Sequence, residues 1–367
     1  MEEINTTSSQ FPDITDQADN SSKKDFSRVG LKSISVIESE LNSLYTGVGM
    51  RDISYSCVIE LRGNDVLDFL HRISTNSVKN LAKEEVAKTI FTTEKGRIID
   101  IAAIINLDEY QLLVSSQEHQ EKMMMWLNKY VISDDVKINN INGKYTLLEM
   151  LGPQADSFMT LISGNIVNNI NPNTIKIINT EGIIFFLMKH FDHNGQLIYW
   201  ILADPVYAQK LIRYMIENKD PFNFNLIGEE AYSHYRIENG VPIAPNEIND
   251  FYNPHEVGLM QLVNTTKGCY IGQEVIVRLD TYDKVQKSLC GFMFSETISD
   301  YEKFLLFDES NVEAGNITST IYSYKFKRHI GIGFVKRKHF EEGTVLLAKN
   351  ADRNPIKVTV KKLPLKK

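Results

Sequence analysis

Apolar and polar positions follow two rhythms along this chain, and the change comes near Lys287. Before it, short alternating runs are interleaved with helical spacing. Residues 57–61 predict a strand. Asn64 or Asp65 then caps a helix in which Val66, Leu67, Leu70 and Ile73 share a face. Strands are predicted at 88–93 and 97–105, joined by a turn at Glu94, Lys95 and Gly96. A strand at 110–115 precedes a helix at 117–130 with Met123, Trp126, Leu127 and Tyr130 inward. The alternation returns in 131–225: a strand at 145–150, a helix opened by Pro153, strands at 183–190 and 196–202 around an Asn194-Gly195 turn, and a helix opened by Pro205. A further helix at 229–238 turns Ala231, Tyr235 and Ile237 inward and stops at Gly240. After Lys287 six short strands follow with no clear helix.

This order predicts an α+β protein: two related, ferredoxin-like lobes plus a C-terminal β-barrel, and no parallel Rossmann sheet. The expected divisions are a tail at 1–30, a first lobe at 31–140, a second at 141–286 interleaved with the first, and a barrel at 287–367. No Gly-x-Gly-x-x-Gly or P-loop follows a strand.

Composition narrows the class. The 367 residues are 43% hydrophobic and 24% charged, and no apolar run reaches membrane-spanning length. Cys57, Cys269 and Cys290 are few, odd in number and far apart, which argues against a disulfide scaffold and points to a reducing cytoplasm. Residues 1–30 are polar and acidic, the composition of a mobile tail and not of a transit peptide. Residues 325–367 hold thirteen Lys or Arg against three Asp or Glu, a net of +10, leaving −17 for the remainder. That asymmetry suits an anionic partner (a polyglutamylated tail, an acidic protein or RNA) or a solvated barrel face. No aromatic-interleaved motif supports direct nucleic-acid binding. His190 and His193 have ligand spacing, but their turn lacks a cysteine or carboxylate cluster and reads as surface.

The densest chemistry is Lys267-Gly268-Cys269-Tyr270-Ile271-Gly272-Gln273-Glu274, followed by an apolar run carrying Arg278. It reads as a tight turn leading into a helix. Gly268 supplies a positive φ and Gly272 a close approach, while Gln273 and Glu274 occupy the first helical turn. A cysteine there, two residues from a lysine, favours thiolate: a nucleophile, a redox centre or a single soft-metal ligand. The competing reading is a small buried hydrophobe beside a structural turn.

The octapeptide resembles the Lys-Gly-Cys-aromatic-x-Gly-Gln-Glu motif of YgfZ-type folate-binding proteins, relatives of the glycine-cleavage T-protein (aminomethyltransferase). Further similarity runs through Val48-Gly49-Met50, Asp52, Ser54, Gly63, Asp65, Phe69-Leu70, Thr75-Asn76, Gly96-Arg97-Ile98-Ile99, Arg236-Ile237-Glu238, Gly240, Pro242, Glu247, Pro254, Glu256 and Leu259. The resemblance implies a three-domain arrangement around a folate-sized cavity and tetrahydrofolate or a derivative as cofactor. It also implies a cytoplasmic role in assembly or repair of iron–sulfur clusters in client enzymes, including tRNA-modifying ones. Cys269 would be the reactive thiolate or a transient cluster ligand, with no stable metal site. Lys267 would lower its pKa or hold an anion. Glu238 would contact the pterin, joined in the ligand-binding set by Gly272, Gln273, Glu274 and Arg278. The family aspartate of the folate reaction centre falls at Ile101. Its neighbour Asp100 belongs to the opposite sheet face and reads as a solvated strand residue. Two alternatives stand beside this: an aminomethyltransferase moving a one-carbon unit from a lipoyl carrier to tetrahydrofolate, and a folate-binding scaffold without thiol chemistry.

Overall fold

The computed structural model describes residues 34–192, 194–281, 285–351 and 354–366. The acidic tail and His193 lie outside the described residues. Among the described residues the chain forms two open sheets and one closed barrel.

The five-stranded sheet runs in the order Val86–Thr92, Ile98–Asn106, Gln111–Ser115, Cys57–Arg62, Lys137–Asn140, antiparallel throughout. Its outer face is covered by the helices Val66–Ile73 and Gln120–Tyr130 through Phe69, Leu70, Met123 and Leu127, all fully buried. Phe69, not Leu67, completes the buried stripe of the first of these helices.

The six-stranded sheet has the order Phe224–Leu226, Val48–Asp52, Thr146–Leu151, Leu197–Ala203, Ile183–Phe191, Thr174–Thr180. Its helices are Ala155–Ser163 and Pro205–Glu217, packed by Phe158, Met159, Leu211 and Met215. Asp204 caps the second helix by accepting from the Val206 amide, with Pro205 in the first turn. The strand Val48–Asp52 pairs with Thr146–Leu151 and Phe224–Leu226, so the chain enters this sheet before it builds the other. A strand from within 31–140 thus belongs to the sheet built mainly from residues 146–226. The helix Ile34–Thr46 and the strand Thr174–Thr180, unread in the sequence, also belong to this half.

The two sheets face each other. Val58, Ala103, Ile105, Leu112 and Val114 of one meet Leu147, Met188 and Leu202 of the other. Strand alternation sends one set of side chains to this shared layer and the other to the helices. The barrel closes in the order Lys287–Phe294, Arg328–Lys336, Glu313–Ser323, Phe304–Phe307, Val345–Lys349, Ile356–Lys361, and all six of its predicted strands are present. The helix Glu229–Asn239 docks on it through Ile237, against Ile321, Ile330, Ile332 and Leu365. No helix among the described residues is long and apolar enough to cross a membrane.

Candidate functional site

Where the shared layer between the sheets meets the helix Glu229–Asn239, it opens into a cavity of about 490 Å³. Ile101, Ala103 and Lys88 come from the five-stranded sheet, Glu149 and Trp200 from the six-stranded one, and Tyr232 and Arg236 from the helix. The volume suits a small organic ligand, and the walls combine apolar surface with a few polar groups.

Those polar groups differ in how far they are satisfied. Arg51 donates from Nε to Glu149 Oε2 at 2.7 Å, and its guanidinium lies 3.3 Å from the Tyr232 ring centroid. Glu149 also accepts from Trp200 Nε1 at 3.0 Å. Burial opposes its charge, but Arg51 together with the Trp200 hydrogen bond holds the Glu149 carboxyl below its ordinary value. Arg236 is 3% exposed and pairs with Glu247 at 3.4 Å and Ser319 Oγ at 3.0 Å, while its Nε has no partner among the described residues. Lys88 has one long hydrogen bond, to Phe191 O at 3.5 Å, and lies 5.6 Å from the Trp200 ring.

The strand Ile98–Asn106 places Ile101 toward the cavity, on the same face as Ala103 and Ile105. Asp100 shares the other face with Ala102 and Ile104. It is not solvated: it is 1% exposed at the cavity's edge. It accepts from the Ser116 amide at 3.0 Å and Ser116 Oγ at 2.6 Å, with His119 Nδ1 at 3.5 Å. The expected solvated aspartate is thus the hub of a buried cluster, because the loop after Gln111–Ser115 folds back over it. His190 also departs from its surface reading. It is 1% exposed and stacked edge-on against Trp200.

The Lys267–Glu274 segment lies apart from the cavity lining. It is a loop running into the helix Gln273–Thr281, as expected. Gly272 has φ +85, and a Cβ there would lie 2.5 Å from Thr93 O; Gly268 has neither constraint. The close approach expected at Gly272 is present, and the positive φ expected at Gly268 falls at Gly272 as well. Thr92 Oγ1 donates to Ile271 O at 2.6 Å, sealing the turn against the 93–97 hairpin. Glu256 adds a second clasp. It forms a capping box with Asn253 and accepts from Arg97 Nη1 at 3.0 Å.

Lys267 is not free to hold an anion. Its ammonium donates to His71 O, Ser74 O and Asn76 O at 2.5, 2.7 and 2.7 Å, which uses all three protons. No donor remains for an anion, and the side chain is a clamp between the loop and the end of the helix Val66–Ile73. Burial pushes this ammonium down to about 8. Cys269 is an exposed free thiol, not a buried hydrophobe. Cys57 and Cys290 are buried, and burial pushes both thiols up to about 11. Glu274 and Arg278 are exposed on the helix, and Gln273 Nε2 donates to Lys267 O at 3.4 Å. Glu238 is 2% exposed, with its oxygens taken by Tyr45 and Ser323 hydroxyls. None of Glu238, Gly272, Gln273, Glu274 and Arg278 lines the cavity. The helix Glu229–Asn239 turns Tyr232 and Arg236 to the cavity instead.

Comparison with known proteins places this geometry. Residues 14–267 match the GCVT N-terminal domain, and residues 287–367 match the glycine cleavage T-protein C-terminal barrel domain. The chain belongs to the glycine cleavage T-protein family. Among its relatives in this family is an aminomethyltransferase of Thermoanaerobacter pseudethanolicus, 24% identical over 90% of this chain and 87% of the relative. A protein of Arabidopsis thaliana named "Putative transferase At1g60990, chloroplastic" is 27% identical over 81% of this chain and 67% of its own length. The crystal structure of the glycine cleavage system aminomethyltransferase T from Bartonella henselae superposes with a TM-score of 0.75 over 89% of each chain, at 18% identity. At that identity the likeness shows the shared fold.

Within the family fold, the sequence reading missed Arg51, Lys88, Glu149, Trp200 and Tyr232. For three of them a signal existed. Lys88 has the parity of Val86 and Ile90, Glu149 that of Leu147, and Arg51 that of Ile53. A charge on the inward parity of a strand marks a polar group in an interior.

Proposed function

We propose that this protein binds a folate-class ligand in the central cavity and serves as an auxiliary factor in assembly or repair of iron–sulfur clusters, presenting Cys269 to client enzymes. The observation that carries this is the exposed Cys269 on a loop fastened by Lys267 and Gly272. One thiolate is short of the four ligands a cluster takes, so it acts with ligands from a partner. An exposed thiol on a fixed loop is accessible to such a partner, whereas the other two cysteines are buried. Family membership and a cavity of about 490 Å³ support the ligand. Its chemistry when bound is that of a one-carbon carrier. Trp200, Tyr232 and Arg236 would wall it.

The test is Cys269→Ser at matched abundance in cells. Loss of activity across several iron–sulfur enzymes, with the protein's melting temperature unchanged, is expected. Normal activity of those enzymes would sink the thiol's role.

The comparisons support a second reading more directly: aminomethyl transfer from a lipoyl carrier to tetrahydrofolate, the activity for which several relatives are named. Against it, Ile101 brings an aliphatic side chain to the cavity where the family resemblance expects a carboxylate. Methylene transfer by the purified protein from an aminomethylated lipoyl carrier decides for the second reading.

A further inference from the structure

Lys88 stands opposite Ala103 on the inward face of the five-stranded sheet, flanked at the same parity by Val86 and Ile90. Its stem is enclosed and its ammonium borders the cavity. The neighbouring carboxylate is already committed: Glu149 takes Arg51 and Trp200. Asp100 is held by Ser116 and the Ile101 amide. Among the described residues Lys88 has no ion pair, only the long contact to Phe191 O. An ammonium in a low-dielectric cavity without a counter-ion is costly, and an anion placed against it recovers that cost. Arg236 also lines the cavity, but its charge is met by Glu247 at 3.4 Å. Of the other lining carboxylates, Glu229 lies 3.6 Å from Arg51 and Glu118 is exposed, so Lys88 is the lining cation without an ion pair among the described residues.

We propose that Lys88 is the anion-binding residue of the central cavity and that the cavity takes its ligand through a carboxylate. The proposal rests on the folate reading only for the identity of the acid, which would then be the aminobenzoylglutamate end. Burial lowers the Lys88 ammonium to about 8, against the opposing charges of Glu149 and Asp192. Arg51, a further cation, also lines the cavity, and His190 is held well below its ordinary value by burial and by the Lys88 charge, hence neutral. Binding of a carboxylate therefore weakens as pH rises through 8, by about tenfold at pH 9.

The experiment uses the full chain and three probes: 5-formyltetrahydrofolate, p-aminobenzoylglutamate without the pterin, and 6-methyltetrahydropterin without the carboxylates. Calorimetric titration is run on the wild type, Lys88→Met and Lys88→Arg, with circular dichroism confirming the fold. In parallel, lysines are reductively methylated with carbon-13, and the Lys88 resonance is assigned by its loss in Lys88→Arg. The expected result is that both carboxylate probes shift the Lys88 resonance and bind about tenfold more weakly to Lys88→Met, with the pterin probe unaffected. Folates that bind without moving this resonance and with equal affinity for Lys88→Met overturn the proposal and leave the folate reading standing. If neither 5-formyltetrahydrofolate nor 6-methyltetrahydropterin binds but p-aminobenzoylglutamate shifts the resonance, the folate reading falls and the anion site stands. If no acid shifts it, the proposal is overturned.

Discussion

Glu149 and Leu147 point the same way from one strand, and of the two only Leu147 has the character of a core residue. The Glu149 carboxylate is tolerated because Arg51 and Trp200 arrive from neighbouring strands to meet it. Removing its charge leaves Arg51 buried with weaker partners, so Glu149→Gln is expected to cost about 3 kcal/mol at pH 7 in denaturant unfolding. The folded carboxyl titrates below the unfolded one. Its contribution is complete above the unfolded value and is lost as pH falls through the folded one. The difference between wild type and Glu149→Gln should therefore shrink as pH falls through and below the ordinary carboxylate range. A difference that stays constant across this range would mean the ion pair adds nothing. Lys267 makes the complementary point. The residue was conspicuous in the motif, yet its task is set by three carbonyls nearly two hundred positions earlier.

The loop and helix around 263–281 form an element that was legible in outline. Turn, helix start and exposed helical face all follow from the order of Gly, Gln and Glu. Which glycine is essential was not legible, because the 93–97 hairpin that crowds Gly272 is distant in sequence. Gly272→Ala combines a disfavoured left-handed φ with a Cβ inside contact distance of Thr93 O, and a loss of about 2 kcal/mol is expected. Limited proteolysis should cut the 263–272 loop faster in this variant, whereas Gly268→Ala should resemble wild type. Equal cleavage of the two variants would refute the assignment.

At the scale of the molecule, the barrel is joined to the lobes by buried polar contacts as well as by Ile237. Glu247 is fully buried and accepts from Thr318 Oγ1 at 2.5 Å, Ser319 Oγ at 2.7 Å and Arg236. Glu247→Ala strips these donors of their acceptor and leaves Arg236 unpaired in the interior. A loss of about 3 kcal/mol is expected, with an earlier calorimetric transition as the barrel undocks. Ligand binding should weaken too, since Arg236 faces the cavity. A single wild-type transition would show that apolar docking suffices. Many of the barrel's basic residues stand on its surface, and part of that charge is paired: Lys336 with Glu313, Lys338 with Asp308, Lys361 with Glu342.

The periodic pattern by itself determined most of the elements and the fold class, since strand and helix faces are local properties written at spacings of two and of three to four residues. It also determined that residue 101 is aliphatic where the family resemblance expects a carboxylate, a fact of composition at one position. Only the tertiary structure decided which charges share a cavity and which are already spent. Glu238 is taken up by Tyr45 and Ser323, and Lys267 by backbone carbonyls, while Lys88 is left with a surplus. The physical reason is that a buried polar group is defined by its partners, and these arrive from strands and loops far away in sequence.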